Sequence, residues 1–136
     1  MIELSNTNAQ TLSAGQSVIF DVTLLHTGCA EFHRPNSAPT RLTQKNAIYE
    51  ISYNGNIGAT TAEEEGQISL AINGSPLLET TAKVVTAAAG DLQNVSAQTF
   101  ISTWCGNTNV IITLTNTGTN EINFDINGRI SIKRIA

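Results

Sequence analysis

Apolar residues alternate with polar ones along residues 109–135, and this alternation constrains the fold more than any other feature of the sequence. The apolar positions are even-numbered on both sides of a polar turn: Val110, Ile112, Leu114, Ile122, Phe124, Ile126, Ile130 and Ile132. A spacing of two places them on one side of each strand, so that side is buried while the other faces water. The pattern predicts an all-β fold built from antiparallel strands.

The Asn127-Gly128 pair allows two interpretations of the end of this segment. As a two-residue hairpin turn, it would move Ile130 and Ile132 to the wet side, because cross-strand partners share a face. A strand that runs straight through keeps both inside, where each buried side chain contributes about 1.5–3 kcal/mol. We therefore predict one long final strand over residues 121–135, with Gly128 as a gap or bulge on its buried face.

Four more segments are predicted as strands: residues 17–25, 46–57, 67–72 and 94–104. Their packing residues are predicted to be Val18, Phe20, Val22 and Leu24; Tyr49, Ile51 and Tyr53; Ile68, Leu70 and Ile72; and Val95, Phe100, Ile101 and Trp104. Asn73-Gly74 suits a type I′ hairpin turn, and Pro76 just after it indicates an edge strand. Residues 1–10 are predicted as a first strand or an N-terminal arm. In total we expect about eight to ten strands in a single domain of residues 1–136, which suits a sandwich, jelly roll or barrel.

The surface of the protein is predicted to consist mainly of uncharged polar groups. Only 13% of the 136 residues are charged, and the net charge is −4. A negative chain lacks the basic footprint that nucleic acid requires, so nucleic acid is not expected as a partner. Arg129, Lys133 and Arg134 are therefore interpreted as the charged outer side of the last strand rather than as a phosphate site.

Membrane insertion is not expected, because no stretch approaches the roughly 20 apolar residues that a membrane-spanning helix needs. The N-terminal residues lack a basic start and an apolar run, so no signal peptide is expected and synthesis in a host cytoplasm is predicted. If the protein acts outside a cell, assembly into a particle released by lysis would take it there.

No catalytic residue, cofactor or metal site is predicted from the polar residues. The acidic run at residues 63–65 is interpreted as a solvated loop rather than a calcium site, since consecutive carboxylates point in different directions. Cys29 and Cys105 lack zinc-ligand spacing and are interpreted as small buried hydrophobes, while a disulfide between them stays open. His33-Arg34 is the one unusual polar pair. We favour a loop His and Arg that bond backbone carbonyls over His33 copies that meet on a trimer axis and hold an anion or metal.

Several short motifs follow one another in a distinctive order. They are Leu12-Ser13-Ala14-Gly15-Gln16-Ser17-Val18-Ile19-Phe20-Asp21, the turn Thr27-Gly28, His33-Arg34 in a loop, Ala47-Ile48-Tyr49-Glu50-Ile51-Ser52, Leu70-Ala71-Ile72-Asn73-Gly74, and two closing strands within residues 112–136. This order resembles the C1q/TNF-like jelly rolls. It is most similar to the C-terminal domain of collagen-like exosporium glycoproteins of spore formers and to related phage and prophage structural proteins.

The resemblance implies a compact homotrimer without enzymatic activity, and it supplies no catalytic residues. Two departures bear on the biological setting. Lys45-Asn46 stands where the family has a glycine before the tyrosine strand, and no collagen-like stalk is expected before the domain. A virion part therefore fits the sequence better than a spore filament does.

These observations lead to a structural hypothesis: a homotrimeric subunit on the surface of a phage virion, as a head decoration or fibre tip, in contact with other virion structural proteins. The alternative is a receptor- or glycan-binding adhesion module. Tyr49, Tyr53 and Trp104 could stack on sugars, although core positions are favoured for all three. A bacterial cell or spore surface is the alternative location.

Overall fold

The computed structural model describes residues 1–103 and 110–136, which form two antiparallel sheets around one apolar core. The larger sheet has seven strands: β1 (Ile2–Ser5), β2 (Gln10–Leu12), β3 (Val22–His26), β6 (Ala47–Ala59), β10 (Gln93–Thr103), β12 (Ile122–Phe124) and β13 (Arg129–Arg134). The smaller sheet has six strands: β4 (Glu31–His33), β5 (Thr40–Leu42), β7 (Glu65–Ile72), β8 (Ser75–Pro76), β9 (Ala82–Val85) and β11 (Val110–Thr115). A single turn of 3₁₀ helix at Leu78–Thr80 separates β8 from β9. The predicted antiparallel all-β sandwich is confirmed.

Strand β6 organises the larger sheet. It pairs with β10 along one side, and with β12 and then β13 along the other. Its odd-numbered side chains point into the core, and Tyr49, Ile51 and Tyr53 are all buried, as their alternation predicts. Within residues 1–10, β1 lies between β13 and β3, and β2 pairs with β12.

The end of the chain does not form one uninterrupted strand. Strands β12 and β13 both run antiparallel to β6, so the chain does not reverse at Asn127-Gly128 and the hairpin alternative is wrong. Between them, however, residues 125–128 stand opposite only residues 55 and 56 of β6. The extra residues turn outward at Asn127, whose φ is 61°, and leave Ile126 45% exposed. The prediction that Ile126 is buried is therefore wrong, whereas Gly128 does lie on the buried side.

Residues 17–25 also depart from the predicted single strand. Val18 and Phe20 are buried, and Ser17 bridges to Thr115 of the smaller sheet. The chain then crosses to the larger sheet, where β3 forms an edge strand. Leu24 is an extra residue in the pairing of β3 with β1 and is 47% exposed, so its predicted burial is wrong.

The predicted turn at Asn73-Gly74 is confirmed. The φ angles of these two residues are 50° and 85°, and Ile72 pairs with Ser75 across them. Two consecutive positive φ angles in a two-residue loop define a type I′ turn. The strand that follows, which contains Pro76, lies at the edge of the smaller sheet as expected.

Strand β10 confirms the predicted strand before residue 104, with one correction. Val95 and Ile101 are buried, but Phe100 is 58% exposed. Neighbouring residues of a strand point to opposite faces, so Phe100 and Ile101 cannot both face the core. Trp104, also predicted to pack, lies outside the described residues.

Candidate functional surface

The outward face of the larger sheet carries rows of polar side chains, most of them uncharged. The pairing of strands places Ser131, Ser52 and Gln98 in one row, and Arg129, Asn54 and Ser96 in the next. These residues, with Tyr53 and Ala97, line a shallow groove of about 300 Å³. We call it the polar groove. Hydroxyl and amide groups in such rows can both donate and accept hydrogen bonds, which suits a polar ligand or a second protein surface.

One end of this outward face is apolar. The backbone amide of Ile135 donates a hydrogen bond to the carbonyl oxygen of Ile48. Phe100 lies beside Ile48 because it pairs with Glu50, which is two residues from Ile48 on the same face of β6. Ile135 is 46% exposed, Ile48 is 41% exposed and Phe100 is 58% exposed. We call them the apolar cluster. When a partner covers side chains of this size, apolar area is removed from water and the free energy falls.

The other end of the face is covered by the protein itself. The backbone of Asp91 lies against β6 so closely that a β-carbon added at Gly58 would come within 2.0 Å of the Asp91 carbonyl oxygen. The loop that contains Asp91 thus closes one end of the face, while the polar groove and the apolar cluster stay open.

The basic residues near the C-terminus lie on β13 as predicted. Arg129, Lys133 and Arg134 are all exposed, and Lys133 pairs with Glu50 of β6. Arg134 donates a hydrogen bond from Nε to the carbonyl oxygen of Ala136 at 3.1 Å. Arg129 and Lys133 pair with the outward-facing Asn54 and Glu50, which matches a charged outer side, whereas Arg134 pairs with the buried Tyr49.

Two of the aromatic residues considered for sugar stacking belong to the core. Tyr49 is 0% and Tyr53 is 3% exposed, so neither ring is available to a ligand. The Tyr53 hydroxyl donates a hydrogen bond to the carbonyl oxygen of Thr80 at 2.6 Å, and burial raises the pKa of Tyr53 to about 12. The third candidate, Trp104, lies in the segment that the structure does not describe.

His33 fixes a loop by contacts with backbone carbonyls, as favoured from the sequence. Its Nε2 lies 3.0 Å from the carbonyl oxygen of Phe20, and its Nδ1 lies 3.1 Å from that of Pro39. The imidazole also meets the Phe20 ring edge-on, with 6.5 Å between centroids. His33 therefore has a structural position between the loop at residues 34–39 and the core.

Arg34 lines a second groove instead, on the outward face of the smaller sheet. This groove has a volume of about 440 Å³, and its lining residues are Phe32, Arg34, Ser37, Pro39, Arg41 and Ile111. This groove was not predicted from the sequence. Its only sequence signal is that two arginines and an exposed aromatic residue occur within ten positions.

The remaining polar candidates are solvated. Glu63 and Glu64 are exposed in a loop, as predicted. Glu65 instead begins strand β7, and its half-exposed carboxylate lies 3.9 Å from Lys83 Nζ. Across residues 1–103 and 110–136, no three His, Cys, Asp or Glu side chains are grouped as metal ligands would be.

Cys29 is exposed, so its interpretation as a small buried hydrophobe is wrong. It follows the β3 edge strand in a surface turn, where the core does not reach. Cys105 lies outside the described residues, so a disulfide between the two cysteines stays open. In the described part of the chain, no helix has the length and apolar character needed to cross a membrane.

Comparisons with known proteins agree with the fold. No protein-family model matches the chain, and no curated protein matches it. Among solved structures, PRD1 vertex protein P5 is 17% identical, with a TM-score of 0.50 over 99% of this chain and 97% of that chain. At this identity the similarity shows a shared β-sandwich jelly-roll fold and nothing more.

Two further structures are more distant. The EclA C-terminal domain, described as a sugar-binding protein, is 15% identical, with a TM-score of 0.43 over 95% of this chain and 79% of that chain. The CBM22-1 xylan-binding domain from Paenibacillus barcinonensis Xyn10C is 15% identical, with a TM-score of 0.45 over 100% of this chain and 97% of that chain.

Proposed function

We propose that the protein is a structural subunit without enzymatic activity, a C1q/TNF-like jelly roll that assembles as a homotrimer on a virion surface. There it would serve as a head decoration or fibre tip and contact other virion structural proteins. The observation that carries this proposal is the apolar cluster on an otherwise polar outward face. The shared fold with PRD1 vertex protein P5, by its name a vertex protein, is compatible with such a location.

The apolar cluster supports assembly for a physical reason. Three large side chains that project together from one sheet face lose solvent-exposed apolar area only if another surface covers them. Three copies of the cluster facing a common axis would cover one another. Phe100 shares its row with Glu50 and Lys133, whose opposite charges offset each other, so close approach of copies would bring little net charge repulsion. The neighbouring Ser52, Asn54 and Gln98 are uncharged and could add hydrogen bonds between copies.

The absence of enzymatic activity is supported by the positions of the two histidines. His26 Nε2 lies 2.9 Å from the carbonyl oxygen of Glu31, and both ring nitrogens of His33 contact carbonyl oxygens. Within residues 1–103 and 110–136, each imidazole is thus engaged with backbone carbonyls, and neither forms a hydrogen bond with a serine or cysteine side chain.

Multi-angle light scattering during size-exclusion chromatography tests the assembly. We expect a mass of about 44 kDa at micromolar concentration, three times the 14.5 kDa of one chain. Phe100→Ser should shift the protein toward monomer, because it removes the most exposed member of the cluster. Leu78→Ser is the matched control, since Leu78 is 80% exposed but lies in the 3₁₀ turn between β8 and β9, outside the cluster. A wild-type monomer, or a trimer that Phe100→Ser leaves intact, would contradict the proposal.

A second candidate function is glycan or receptor binding, and the polar groove favours it. Its serine, asparagine and glutamine side chains can hydrogen-bond to sugar hydroxyls, and its arginine adds a charged donor. A trimer that covers the outward face of the larger sheet would close this groove, so the two functions compete for one surface. A neutral-glycan array without binding above background would exclude this candidate and leave the trimer untouched. The same assembly on a bacterial cell or spore surface is the alternative location.

A further inference from the structure

We infer that the groove on the outward face of the smaller sheet binds an acidic saccharide. The groove is defined by Phe32, Arg34, Ser37, Pro39, Arg41 and Ile111, and we call it the arginine groove. It lies on the opposite face of the sandwich from the apolar cluster, so a trimer built through that cluster leaves it open. The inference goes beyond the proposed assembly and does not depend on it.

Strand pairing places an aromatic, a cationic and an aliphatic side chain in one row. Phe32 of β4 pairs with Arg41 of β5, which pairs with Ile111 of β11. Phe32 is 45% and Ile111 is 38% exposed, so both present apolar surface to solvent. The C–H face of a sugar ring packs well on such a surface, and this row supplies it on both sides of a guanidinium group.

The charge of the groove is opposite to that of the whole chain. The protein has 11 acidic and 7 basic residues, yet the groove contains two arginines and no acidic residue. Within residues 1–103 and 110–136, neither Arg34 nor Arg41 forms an ion pair. A cationic groove on an acidic protein selects for a negatively charged ligand, because its potential is not cancelled locally.

The Arg41 guanidinium is held in a geometry suited to an anion. Its Cζ lies 5.4 Å from the centroid of the Phe32 ring, which is a cation–π contact. A cation–π contact uses none of the guanidinium N–H donors, so these donors stay available to the two oxygens of a carboxylate or sulfate.

The loop that carries Arg34 is fixed before any ligand arrives. His33 contacts the carbonyl oxygen of Pro39 at the end of the loop, and it also contacts the carbonyl oxygen of Phe20. Phe20 also exchanges backbone hydrogen bonds of 3.1 Å with Ser37 and Asn36, and the Ser37 hydroxyl donates to the Arg34 carbonyl. A loop fixed in this way loses little conformational freedom when a ligand binds.

The size of the groove favours a saccharide over a longer acidic peptide. A volume of about 440 Å³ lies near the lower end of the range of roughly 300–1,000 Å³ for small-molecule sites. One or two sugar rings fill such a volume. The carboxylate or sulfate of the sugar would lie between Arg34 and Arg41, and its ring would pack on Phe32 or Ile111.

Titration by NMR or calorimetry of the full chain at low salt tests the site. The probes are 3′-sialyllactose for a carboxylate sugar, a heparin-derived disaccharide for a sulfated sugar, lactose for a neutral sugar, and inorganic sulfate for a bare anion. We expect at least one acidic sugar to bind with Kd on the order of 1 mM or below, and lactose and inorganic sulfate to bind at least tenfold more weakly.

Variants locate the site. Arg34→Gln and Arg41→Gln should each raise the Kd at least fivefold, since each removes one charged donor. Lys83→Gln removes the same charge on β9, at the opposite edge of the smaller sheet, and should leave the Kd unchanged. If Arg41→Gln fails to fold, as circular dichroism would show, the loop variant Arg34→Gln still decides the question.

Four outcomes would overturn the inference. They are equal binding of lactose and the acidic sugars, binding of inorganic sulfate as tight as that of any saccharide, no detectable binding of either acidic sugar (whether or not a glutamate-rich peptide, added as a fifth probe, binds), and an unchanged Kd in both arginine variants. Because each subunit carries its own groove, a Phe100→Ser monomer should retain binding. A failure of the trimer is thereby separated from a failure of this site.

Discussion

The ring of Phe124 lies directly against the backbone of Gly128. A β-carbon added at Gly128 would come within 2.3 Å of Phe124 Cε1, and one added at Gly55 would come within 2.7 Å of Phe124 Cζ. The ring is therefore held between two glycines of adjacent chain segments. Gly128 does not have a positive φ, so space for the ring, rather than backbone conformation, requires glycine here.

Gly128→Ala should destabilise the protein by about 2–3 kcal/mol, because the fully buried ring has no room to move away from the new methyl group. Urea unfolding followed by circular dichroism measures this. Gly90→Ala is the control: Gly90 has a φ of 87° but open space around it, so only a backbone cost of about 1 kcal/mol is expected.

Adding Phe124→Leu to the Gly128→Ala variant should recover part of the loss, since the smaller side chain vacates the space that the methyl group enters. A double-mutant cycle gives the coupling between the two positions, expected at about 1 kcal/mol or more. If Gly128→Ala cost less than Gly90→Ala, the proposed steric contact would be wrong.

The period-two pattern predicts the direction of the final segment but not its interruption. Burial of Ile122, Phe124, Ile130 and Ile132 follows from the alternation, and so does the continued path along β6. The outward turn at residues 125–128 depends on Asn6, which is buried and donates a hydrogen bond to the carbonyl oxygen of Asp125 at 2.9 Å. Asn6 is 119 positions from Asp125, and a local pattern contains no information about that contact.

The two buried tyrosines should respond differently to loss of the hydroxyl group. Tyr53→Phe leaves the carbonyl oxygen of Thr80 without its 2.6 Å partner, which should cost about 1–2 kcal/mol. Within the described residues, the Tyr49 hydroxyl has no hydrogen-bond partner, so Tyr49→Phe should be neutral or stabilising by up to about 1 kcal/mol. Thermal and urea unfolding compare the two variants. An equal loss in both would refute this distinction.

Alkaline pH gives a second measurement of the Tyr53 environment. Burial raises the pKa of Tyr53 from 10.0 to about 12, so the folded protein holds this proton where the unfolded chain has released it. Stability from this residue is complete below pH 10.0 and is lost as the pH rises toward about 12. The melting temperature of Tyr53→Phe should therefore fall less steeply over this pH range than that of the wild type.

Acid pH should reveal the contribution of Asp21. Hydrogen bonds from the hydroxyl group and then the backbone amide of Thr7 hold the pKa of Asp21 below its ordinary value of 3.8. Because the folded pKa is lowered, the stabilisation is present above pH 3.8 and is lost as the pH falls through the folded value. Asp21→Asn should reduce the acid dependence of the melting temperature, and the exposed control Asp91→Asn should not. The same acid dependence in Asp21→Asn and wild type would contradict this.

The arginine groove shows why the candidate sites were harder to predict than the fold. Arg34 and Arg41 line the same groove only because β4 pairs with β5 and because His33 fixes the loop that joins these two strands. Likewise, Phe100 and Ile101 are adjacent apolar residues, and alternation alone does not decide which of them faces the core and which faces outward. Alternation identifies a strand, but strand pairing decides which surface residues become neighbours.

Asn116 should be among the polar residues most sensitive to substitution, because it joins the two sheets from a fully buried position. Its Nδ2 donates to the carbonyl oxygens of Leu12 at 3.0 Å and Asn120 at 2.9 Å, and its Oδ1 accepts from the amide of Gly118 at 3.0 Å. Asn116→Ala removes the side-chain partner of three backbone groups, one of them buried and two part-buried, and should cost about 3 kcal/mol. Asn94→Ala, at an exposed residue, should change stability by less than about 0.5 kcal/mol.

Asn116→Asp removes the amide donors of Asn116 but keeps the shape of its side chain, so it separates the two contributions. The substitution keeps an acceptor for Gly118 but turns a carboxylate oxygen toward two carbonyl oxygens, which raises the pKa of the new carboxyl group. A raised pKa means that folding is penalised most when the group is ionised, so the loss relative to wild type should be larger at pH 7 than at pH 4. Unfolding at both pH values checks this, with wild type measured in parallel. A loss that does not depend on pH would show that the amide donors of Asn116 are not what joins the sheets.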